Sequence, residues 1–305
     1  MRVLIVGAGS TGGYFGGRLL QANRDVTFLV RAGRAEALRK NGLQIKSPHG
    51  DVSLQPNVIT AREIQSPFDL ILLSVKSWSL DEAMKDFSAA VADDSMILPV
   101  LNGMKHMDML EERFGAPRVI GGVCQVANML DADGNIVQLS PLQELTYGEM
   151  GGELTARMKQ LDSLMQGCGF DAKLSTEIEG LMWEKWVLLA TLGGATCLMR
   201  GNLGQIVSAP GGTAFIANLF DEIVAAVKRV GSEPSEGFIR ASQAMFAQKD
   251  SQMTSSMYRD LDKGYRIERD QIIDDLIARG HQAGLSLPLL NLISTHLSVY
   301  ESGLR

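Results

Sequence analysis

Hydrophobic and polar positions divide the chain into two halves of different character. In the first half, short apolar runs alternate with helical segments, the pattern of a parallel sheet covered by helices. From about Thr176 onward the apolar residues recur with helical spacing and strand signals are scarce. We therefore predict an α/β N-terminal domain over residues 1–175 and an all-helical C-terminal domain over residues 176–305.

The same pattern predicts the single elements. The run at residues 70–75 is continuously apolar, as expected of a strand buried on both faces. Strands are predicted at residues 3–6, 25–30, 70–75, 96–101, 136–139 and 144–148, and helices at residues 11–21, 221–230, 258–283 and 289–300.

A glycine-rich segment connects the first predicted strand to the first predicted helix, and it fits the G-x-G-x-x-G pattern of dinucleotide-binding folds. The first glycine permits a tight turn, the second lets the backbone approach a pyrophosphate, and the third allows the helix to pack closely on the strand. The helix N-terminus offers N–H groups to the anion. We predict a Rossmann-type dinucleotide site here; the alternative is a packing turn without a ligand. The six residues are Gly7, Ala8, Gly9, Ser10, Thr11 and Gly12.

The residues after the second strand favour NADP over NAD. An NAD-selective site places an acidic residue there to bind the ribose 2′-hydroxyl. This chain has Arg31 and Arg34 instead, and guanidinium groups bind a 2′-phosphate, which an acid repels. The alternative is a solvated, basic start of a helix. NADP(H) is the predicted cofactor.

Polar residues also follow the two buried strands further along. Lys76 comes directly after one of them, and Asn102 with Gly103 follows the next. Ligands of open α/β sheets bind at the carboxyl ends of the strands, so both positions belong to the predicted site. Lys76 is almost equally well explained as an exposed loop lysine, and Asn102-Gly103 as a turn.

Two charged residues lie on apolar helical stripes of the second half. Lys185 follows Met182 on one stripe, and Glu268 lies between Tyr265 and Ile272 on another. Such a lysine either extends its amine to the surface or is kept in a cleft, where it donates a proton. Acidic residues are seldom buried without a partner. We therefore expect Lys185 and Glu268 to be partners of each other, or to share a polar ligand that lies between them. Two unrelated residues at the rim are the alternative.

Composition restricts the remaining function classes. The 29 basic and 35 acidic residues give a net charge of −6, which does not support nucleic-acid binding because this needs a basic surface. The longest uncharged apolar run, residues 186–199, is too short to span a bilayer, so no membrane partner is expected.

The 4 histidines have no second ligand at helical spacing, which predicts no metal site. The 3 cysteines are far apart and favour a reducing cytoplasm.

Taken together, these segments resemble the ketopantoate reductase (2-dehydropantoate 2-reductase) family of the 6-phosphogluconate-dehydrogenase-like group, over nearly the whole chain. The resemblance implies reduction of a 2-keto acid to a 2-hydroxy acid by NADPH, in the family ketopantoate to pantoate on the route to pantothenate. Besides the glycine-rich segment and Arg31, it rests on the segments SVKSW, LNGMKHMDMLEERFG, GGVCQVANMLDADGNIV, LMWEKW and TSSMYRDLDKGYRIERDQI.

The resemblance implies roles on the substrate side. Lys185 is expected to donate the proton to the carbonyl oxygen, and Glu268 to lie beside cofactor and substrate and orient them. Ser256 and Asn102 are expected to contact the substrate, a small carbonyl compound.

On the cofactor side, the resemblance implies that Arg31 binds the 2′-phosphate. Lys76, Asn102 and Ala127 are expected to line the cofactor channel together with Glu268. A homodimer is the implied assembly.

Two positions depart from the family pattern. Members that act on ketopantoate carry an asparagine four residues after the lysine and another four further on, where this chain has Leu189 and Gly193. Two hydrogen-bonding groups are therefore missing, and leaving a polar group unpaired costs ~1–3 kcal/mol. Asn202 is a candidate for a third family asparagine. The alternatives are a reductase of another, more apolar 2-keto acid or ketone and, from a different class, a non-catalytic NADPH-binding sensor.

Overall fold

The computed structural model describes residues 1–304. Two compact units are distinguished, the first with residues 1–101 and 106–179, the second with residues 102–105 and those from 180 onward. The division falls at 179/180 rather than at the 175/176 predicted from composition. It also places Asn102 with the helical unit, although the chain up to Leu101 belongs to the first.

The first unit contains all strands of the described chain, in two sheets. They are β1 (Arg2–Val6), β2 (Asp25–Leu29), β3 (Leu43–Lys46), β4 (Val52–Leu54), β5 (Asn57–Ile59), β6 (Leu70–Leu73), β7 (Met96–Pro99), β8 (Gly121–Leu130), β9 (Ile136–Gly148) and β10 (Asp171–Leu174).

The first sheet has the order β5-β2-β1-β6-β7, and its strand pairs are all parallel. The continuously apolar strand β6 is buried along its whole length, as parallel strands covered by helices are. Because β2 and β6 pair with opposite sides of β1, the chain reverses its winding there, and ligands of such sheets bind outside the strand ends at this switch point. The predicted α/β class is confirmed.

The second sheet has the order β10-β9-β3-β4, with β8 paired to β9. The strands predicted at residues 136–139 and 144–148 are one strand, β9. Its pairing with β8 is irregular between them, since Asn128 pairs with Gln138 but Val126 with Gln143. The gap between the two predicted segments is therefore an irregular stretch within one strand.

The helices are α1 (Ser10–Gln21), α2 (Ala32–Asn41), α3 (Leu80–Phe87), α4 (Lys105–Phe114), α5 (Ala156–Met165), α6 (Ile178–Met199), α7 (Leu203–Ser208), α8 (Gly212–Val230), α9 (Glu236–Phe246), α10 (Ser256–Asp262), α11 (Asp275–Gln282) and α12 (Pro288–Ser302), with a π-helical turn at Asp270–Asp274 before α11. None of the helices within residues 1–304 combines the length and the apolar character that crossing a membrane requires.

Helix α1 packs between the two sheets of the first unit. A Cβ at Gly16 would lie 2.7 Å from a side-chain atom of Ile5 in the first sheet, and one at Gly17 would lie 2.6 Å from Ile45 in the second. The glycines of this helix therefore permit closer packing than side chains would allow. This close packing fixes the N-terminus of α1 at the end of β1.

The continuous helix predicted over residues 258–283 is wrong. Helix α10 ends at Asp262, and Gly264 follows with a φ of +71°, a left-handed conformation that commonly ends helices. Tyr265 is 60% exposed and shares no helical face with Ile272. Glu268 consequently lies in a segment without regular secondary structure, just before the next helical segment.

Candidate functional site

The glycine-rich turn lies where β1 ends, and a serine from the neighbouring strand holds it. Gly7 has a φ of +94°, which glycine adopts without steric penalty. The hydroxyl of Ser74, directly after β6, donates to the carbonyl oxygens of Gly7 at 3.0 Å and Val6 at 3.2 Å. Sequence reasoning missed Ser74; its position after the buried strand is the signal that could have found it.

The second and third glycines of the motif differ in what a side chain would meet. A Cβ at Gly12 would lie 2.3 Å from the carbonyl oxygen of Gly7, so close packing requires glycine there. A Cβ at Gly9 would meet no atom within 4 Å, and its φ of −81° is accessible to any residue. Neither packing nor backbone conformation explains the glycine at position 9. The open space beside it fits a pyrophosphate group, which needs bare backbone to approach.

The start of α1 offers a second feature suited to an anion. Gly9 is the N-cap residue of this helix and carries no side chain to cap it, so the first N–H groups and the positive end of the helix dipole are presented to a ligand. Ser10 and Thr11 are half-buried and Ala8 is buried. The residues therefore fit the dinucleotide that the motif implies.

The two arginines after β2 have different surroundings. Arg31 is the N-cap residue of α2; its side chain is 64% exposed and forms an ion pair with Glu82. Arg34 instead donates to the carbonyl oxygens of Ala8 at 3.2 Å and Gly134 at 3.1 Å, and burial lowers the pKa of its guanidinium. Arg34 supports the glycine-rich turn, which leaves Arg31 as the arginine exposed to a ligand.

The predicted channel residues Lys76 and Ala127 both belong to the first unit. Lys76 is exposed three residues after the end of β6, and its Nζ lies 5.6 Å from the centre of the Trp78 ring. Ala127 occupies the bulge of β8, the position without a paired residue on β9; bulges often occur beside active sites. The next residue, Asn128, donates to the carbonyl oxygen of Ser10 at 3.3 Å. The bulge and the glycine-rich turn are thereby connected.

In the second unit, Lys185 lies in the middle of α6. Ile178 and Met182, which precede it on the predicted apolar stripe, are buried, whereas Lys185 and Leu189 are half-buried. The stripe is thus a core face at its start and partly open from Lys185 onward. This is the placement that a proton donor needs, since its amine must reach a ligand.

A tryptophan next to Lys185 fixes this helix to the π-helical turn. Trp186 is 1% exposed, and its Nε1–H donates to the carbonyl oxygen of Ile272 at 2.9 Å. A π-helical turn frees backbone carbonyls from the regular ladder and often occurs at functional sites. Trp186 was not singled out in the sequence.

Glu268 is 7% exposed, so the prediction that it is buried is correct although its helical placement is wrong. Its Oε2 accepts a hydrogen bond of 3.4 Å from the side-chain amide of Asn102. These residues are 166 positions apart, and both belong to the second unit. The structure therefore brings one predicted catalytic residue together with one predicted substrate contact.

Contacts beside this pair hold the Asn102 segment in place. Gly103 has a φ of +79°, and a Cβ there would lie 2.3 Å from the carbonyl oxygen of Gln271. Lys105 forms an ion pair with Asp270 at 2.8 Å. The conformation of Gly103 thus agrees with the alternative that Asn102-Gly103 forms a turn. The close approach of Gly103 to the π-helical turn also positions the Asn102 amide.

Ser256 and Asn202 have different structural settings. Ser256 is the first residue of α10 and is half-buried; the preceding Ser255 caps the helix by accepting from the backbone N–H of Tyr258 at 2.9 Å. Asn202 caps α7, where its Oδ1 accepts from Gln205 at 2.8 Å. Its amide also donates to Gln252. Asn202 thus has a structural function as the cap of α7.

No three side chains of histidine, cysteine, aspartate or glutamate within residues 1–304 come together to hold a metal ion.

Comparison with known proteins assigns the chain to a family. The model of the family described as ketopantoate reductase PanE/ApbA matches residues 3–152, and that of its C-terminal domain matches residues 177–301. The chain belongs to the ketopantoate reductase family. The recognition from sequence motifs is confirmed.

Relatives within and around this family cover the chain end to end. An uncharacterized oxidoreductase, YkpB of Bacillus subtilis, is 34% identical over 99% of both chains. The 2-dehydropantoate 2-reductase of Archaeoglobus fulgidus is 26% identical over 99% of both. The crystal structure of 2-dehydropantoate 2-reductase from Geobacter metallireducens is 26% identical, with a TM-score of 0.88 over 98% of this chain and 99% of the other.

A D-mandelate dehydrogenase solved with NADH and anilino(oxo)acetate shares the fold. Its TM-score is 0.87 at 22% identity, over 100% of this chain and 99% of the other. This neighbour shows a shared fold, while the family models and relatives make the chain a member of an oxidoreductase family.

Proposed function

We propose that the protein reduces a 2-keto acid to the corresponding 2-hydroxy acid with NADPH, in the manner of 2-dehydropantoate 2-reductase. The observation that carries the proposal is the buried carboxylate of Glu268, 7% exposed, with the Asn102 amide as its hydrogen-bond partner. Burying a carboxylate costs free energy unless a polar partner or ligand binds it. The burial of Glu268 therefore favours a polar ligand at this place. Family membership supplies the reaction type.

The residues of the first unit are suited to hold the cofactor. The open backbone at Gly9 and the start of α1 would receive the pyrophosphate, with Ser10 and Thr11 beside it. Lys76 and Ala127 would line the rest of the channel. Arg31 would bind the 2′-phosphate, which favours NADPH; the related D-mandelate dehydrogenase was solved with NADH, so cofactor choice is part of the proposal.

In this proposal the residues of the second unit perform the acid–base chemistry. When bound, NADPH supplies a hydride to the carbonyl carbon of the substrate. The Lys185 ammonium donates a proton to the carbonyl oxygen, so that the ketone becomes an alcohol. Glu268 and Asn102 orient the reacting groups, and Ser256 contacts the substrate. General acid catalysis of this kind contributes about 10²–10⁴-fold to a rate.

Consumption of NADPH with a series of 2-keto acids tests the proposal directly. We expect steady loss of NADPH absorbance and formation of one 2-hydroxy acid per cofactor oxidised. With both hydrogens at C4 of the dihydronicotinamide replaced by deuterium, one deuterium should appear at C2 of the product. Turnover with NADPH but without deuterium transfer to C2 would contradict the reaction type.

A non-catalytic NADPH-binding sensor is the alternative of a different class. It predicts that NADPH binds and quenches tryptophan fluorescence while no 2-keto acid is turned over. Any steady 2-keto acid reduction that Lys185→Ala abolishes excludes it.

A homodimer and a cytoplasmic location complete the proposal. A Staphylococcus aureus ketopantoate reductase that shares the fold is described as dimeric. The cysteines Cys124, Cys168 and Cys197 form no disulfide bond within residues 1–304, in keeping with a reducing compartment.

A further inference from the structure

Helix α6 presents a row of positions on the same face as Lys185. Leu189, Gly193 and Thr196 follow it at intervals of four, four and three residues, which places them side by side along the helix. If Lys185 donates its proton to the substrate carbonyl, the next turns of the helix face the rest of the substrate. Their side chains then determine which substrate groups are accepted.

The space beside Gly193 is filled by a methionine. A Cβ at Gly193 would lie 2.9 Å from Cε of Met257 and 4.0 Å from Oγ of Ser255. Met257 is 2% exposed and belongs to α10, whose first residue is Ser256. The thioether methyl group therefore rests on the bare backbone of α6, where an asparagine side chain would collide with it.

The polar groups nearest to this contact are already engaged. Ser255 Oγ accepts from the Tyr258 backbone N–H at 2.9 Å and lies 3.1 Å from the hydroxyl of Thr196. Thr196 also donates to the carbonyl oxygen of Leu192 at 2.6 Å. Both hydroxyl protons are therefore used within the protein, and neither hydroxyl has a proton to donate to a substrate oxygen. Leu189 on α6 and Met257 on α10 add apolar side chains to this part of the second unit.

We infer that the contact between Gly193 and Met257 determines substrate specificity, and that it selects a 2-keto acid with a branched, wholly apolar side chain. The inference rests on the proposed function and names its substrate class. A hydroxyl placed against Met257 and Leu189 loses its water without gaining a partner. A methyl group in the same place is bound without that loss.

Two substrates of matched shape test the inference on the wild-type enzyme. Ketopantoate and 3,3-dimethyl-2-oxopentanoate differ only in a terminal hydroxyl against a terminal methyl group. We expect kcat/KM with NADPH to be at least about tenfold higher for the methyl compound, which corresponds to about 1.4 kcal/mol. Equal or faster turnover of ketopantoate would overturn the inference and leave the proposed function standing. No turnover of any 2-keto acid would overturn both.

Variants test whether Met257 causes the preference for the methyl compound over ketopantoate. Met257→Ala should lower the ratio of the two kcat/KM values at least about threefold, because it removes apolar contact and admits water. Met253→Ala is the matched control, since Met253 is 39% exposed, and it should leave the ratio unchanged. In the double variant with Gly193→Asn and Met257→Ala, we expect kcat/KM for ketopantoate to rise above its value in Met257→Ala alone. An unchanged ratio in Met257→Ala would overturn the assignment.

Discussion

The indole N–H of Trp186 donates a hydrogen bond of 2.9 Å to the main-chain carbonyl oxygen of Ile272. The donor lies directly after Lys185 on α6, and the acceptor lies in the π-helical turn that begins two residues after Glu268. One bond thus connects the two segments that carry the proposed proton donor and the buried carboxylate. Both ends are buried, where an unpaired carbonyl is costly.

Replacing Trp186 should therefore affect both stability and turnover. Trp186→Phe keeps an aromatic ring but leaves the Ile272 carbonyl without this donor. We expect a loss of about 1–3 kcal/mol in the free energy of unfolding and a lower kcat. Urea unfolding and steady-state kinetics measure the two effects.

Trp183 provides the matched control for this experiment. It packs against Trp186 with ring centres 5.3 Å apart, but its buried Nε1 has no hydrogen-bond partner. Trp183→Phe removes no bond and should destabilise the protein less than Trp186→Phe. Equal losses in the two variants would show that ring packing, and not the hydrogen bond to Ile272, is what matters.

Two glycine variants separate ligand binding from packing. Gly9→Ala places a methyl group where no atom lies within 4 Å, so stability should stay within about 0.5 kcal/mol while NADPH binds more weakly. Gly12→Ala places it 2.3 Å from the Gly7 carbonyl oxygen and should destabilise the fold by about 1–3 kcal/mol. Thermal unfolding and fluorescence titration measure the pair. Gly9→Ala with unchanged NADPH affinity would argue against a pyrophosphate at this turn.

Arg31→Ala should raise KM for NADPH and leave KM for NADH unchanged, because only NADPH carries the 2′-phosphate. We expect a change of about tenfold, typical of losing one exposed charge-assisted contact. Arg39→Ala is the control: Arg39 lies on the same helix, is 51% exposed and pairs with Glu63. An equal rise in KM for NADPH and for NADH would contradict the proposed contact between Arg31 and the 2′-phosphate.

The partly buried ion pair of Glu149 and Arg157 should make stability depend on acid pH. Hydrogen bonds from the Arg157 guanidinium hold the pKa of Glu149 below its ordinary value of 4.5. A lowered folded-state pKa means that the pair contributes its full stability above pH 4.5 and loses it as pH falls further.

Glu149→Gln should therefore lower stability near neutral pH by about 1–3 kcal/mol and flatten its decline below about pH 4.5. Glu236→Gln is the control, since the Glu236 side chain is 90% exposed beside Arg240. Chemical unfolding at a series of pH values provides the comparison. A decline as steep as that of the wild type would contradict this role of Glu149.

Much of the fold could be predicted because its signals are local. The apolar run of β6 and the glycine-rich turn each lie within a few residues, and the structure has both where the pattern indicates. The helix predicted through Glu268 failed because one residue, Gly264 with a φ of +71°, ends α10. Periodicity alone does not distinguish such a glycine from one tolerated inside a helix.

The candidate site is less accessible to sequence reasoning because it is assembled from distant residues. Asn102 and Glu268 meet across 166 positions, and only the fold brings them into contact. The two arginines after β2 look equivalent in the sequence, yet Arg34 is taken up by the carbonyls of Ala8 and Gly134. Which carbonyl a side chain reaches depends on packing, which no local pattern encodes.

The most direct test of the account is kcat for 2-keto acid reduction in the wild type, Lys185→Ala and Lys228→Ala. Lys228 is the control because it is an exposed helix lysine paired with Glu233. We expect Lys185→Ala to lower kcat about 10²–10⁴-fold with NADPH affinity unchanged, and Lys228→Ala to stay near the wild type. A Lys185→Ala enzyme that keeps the wild-type kcat would contradict this expectation.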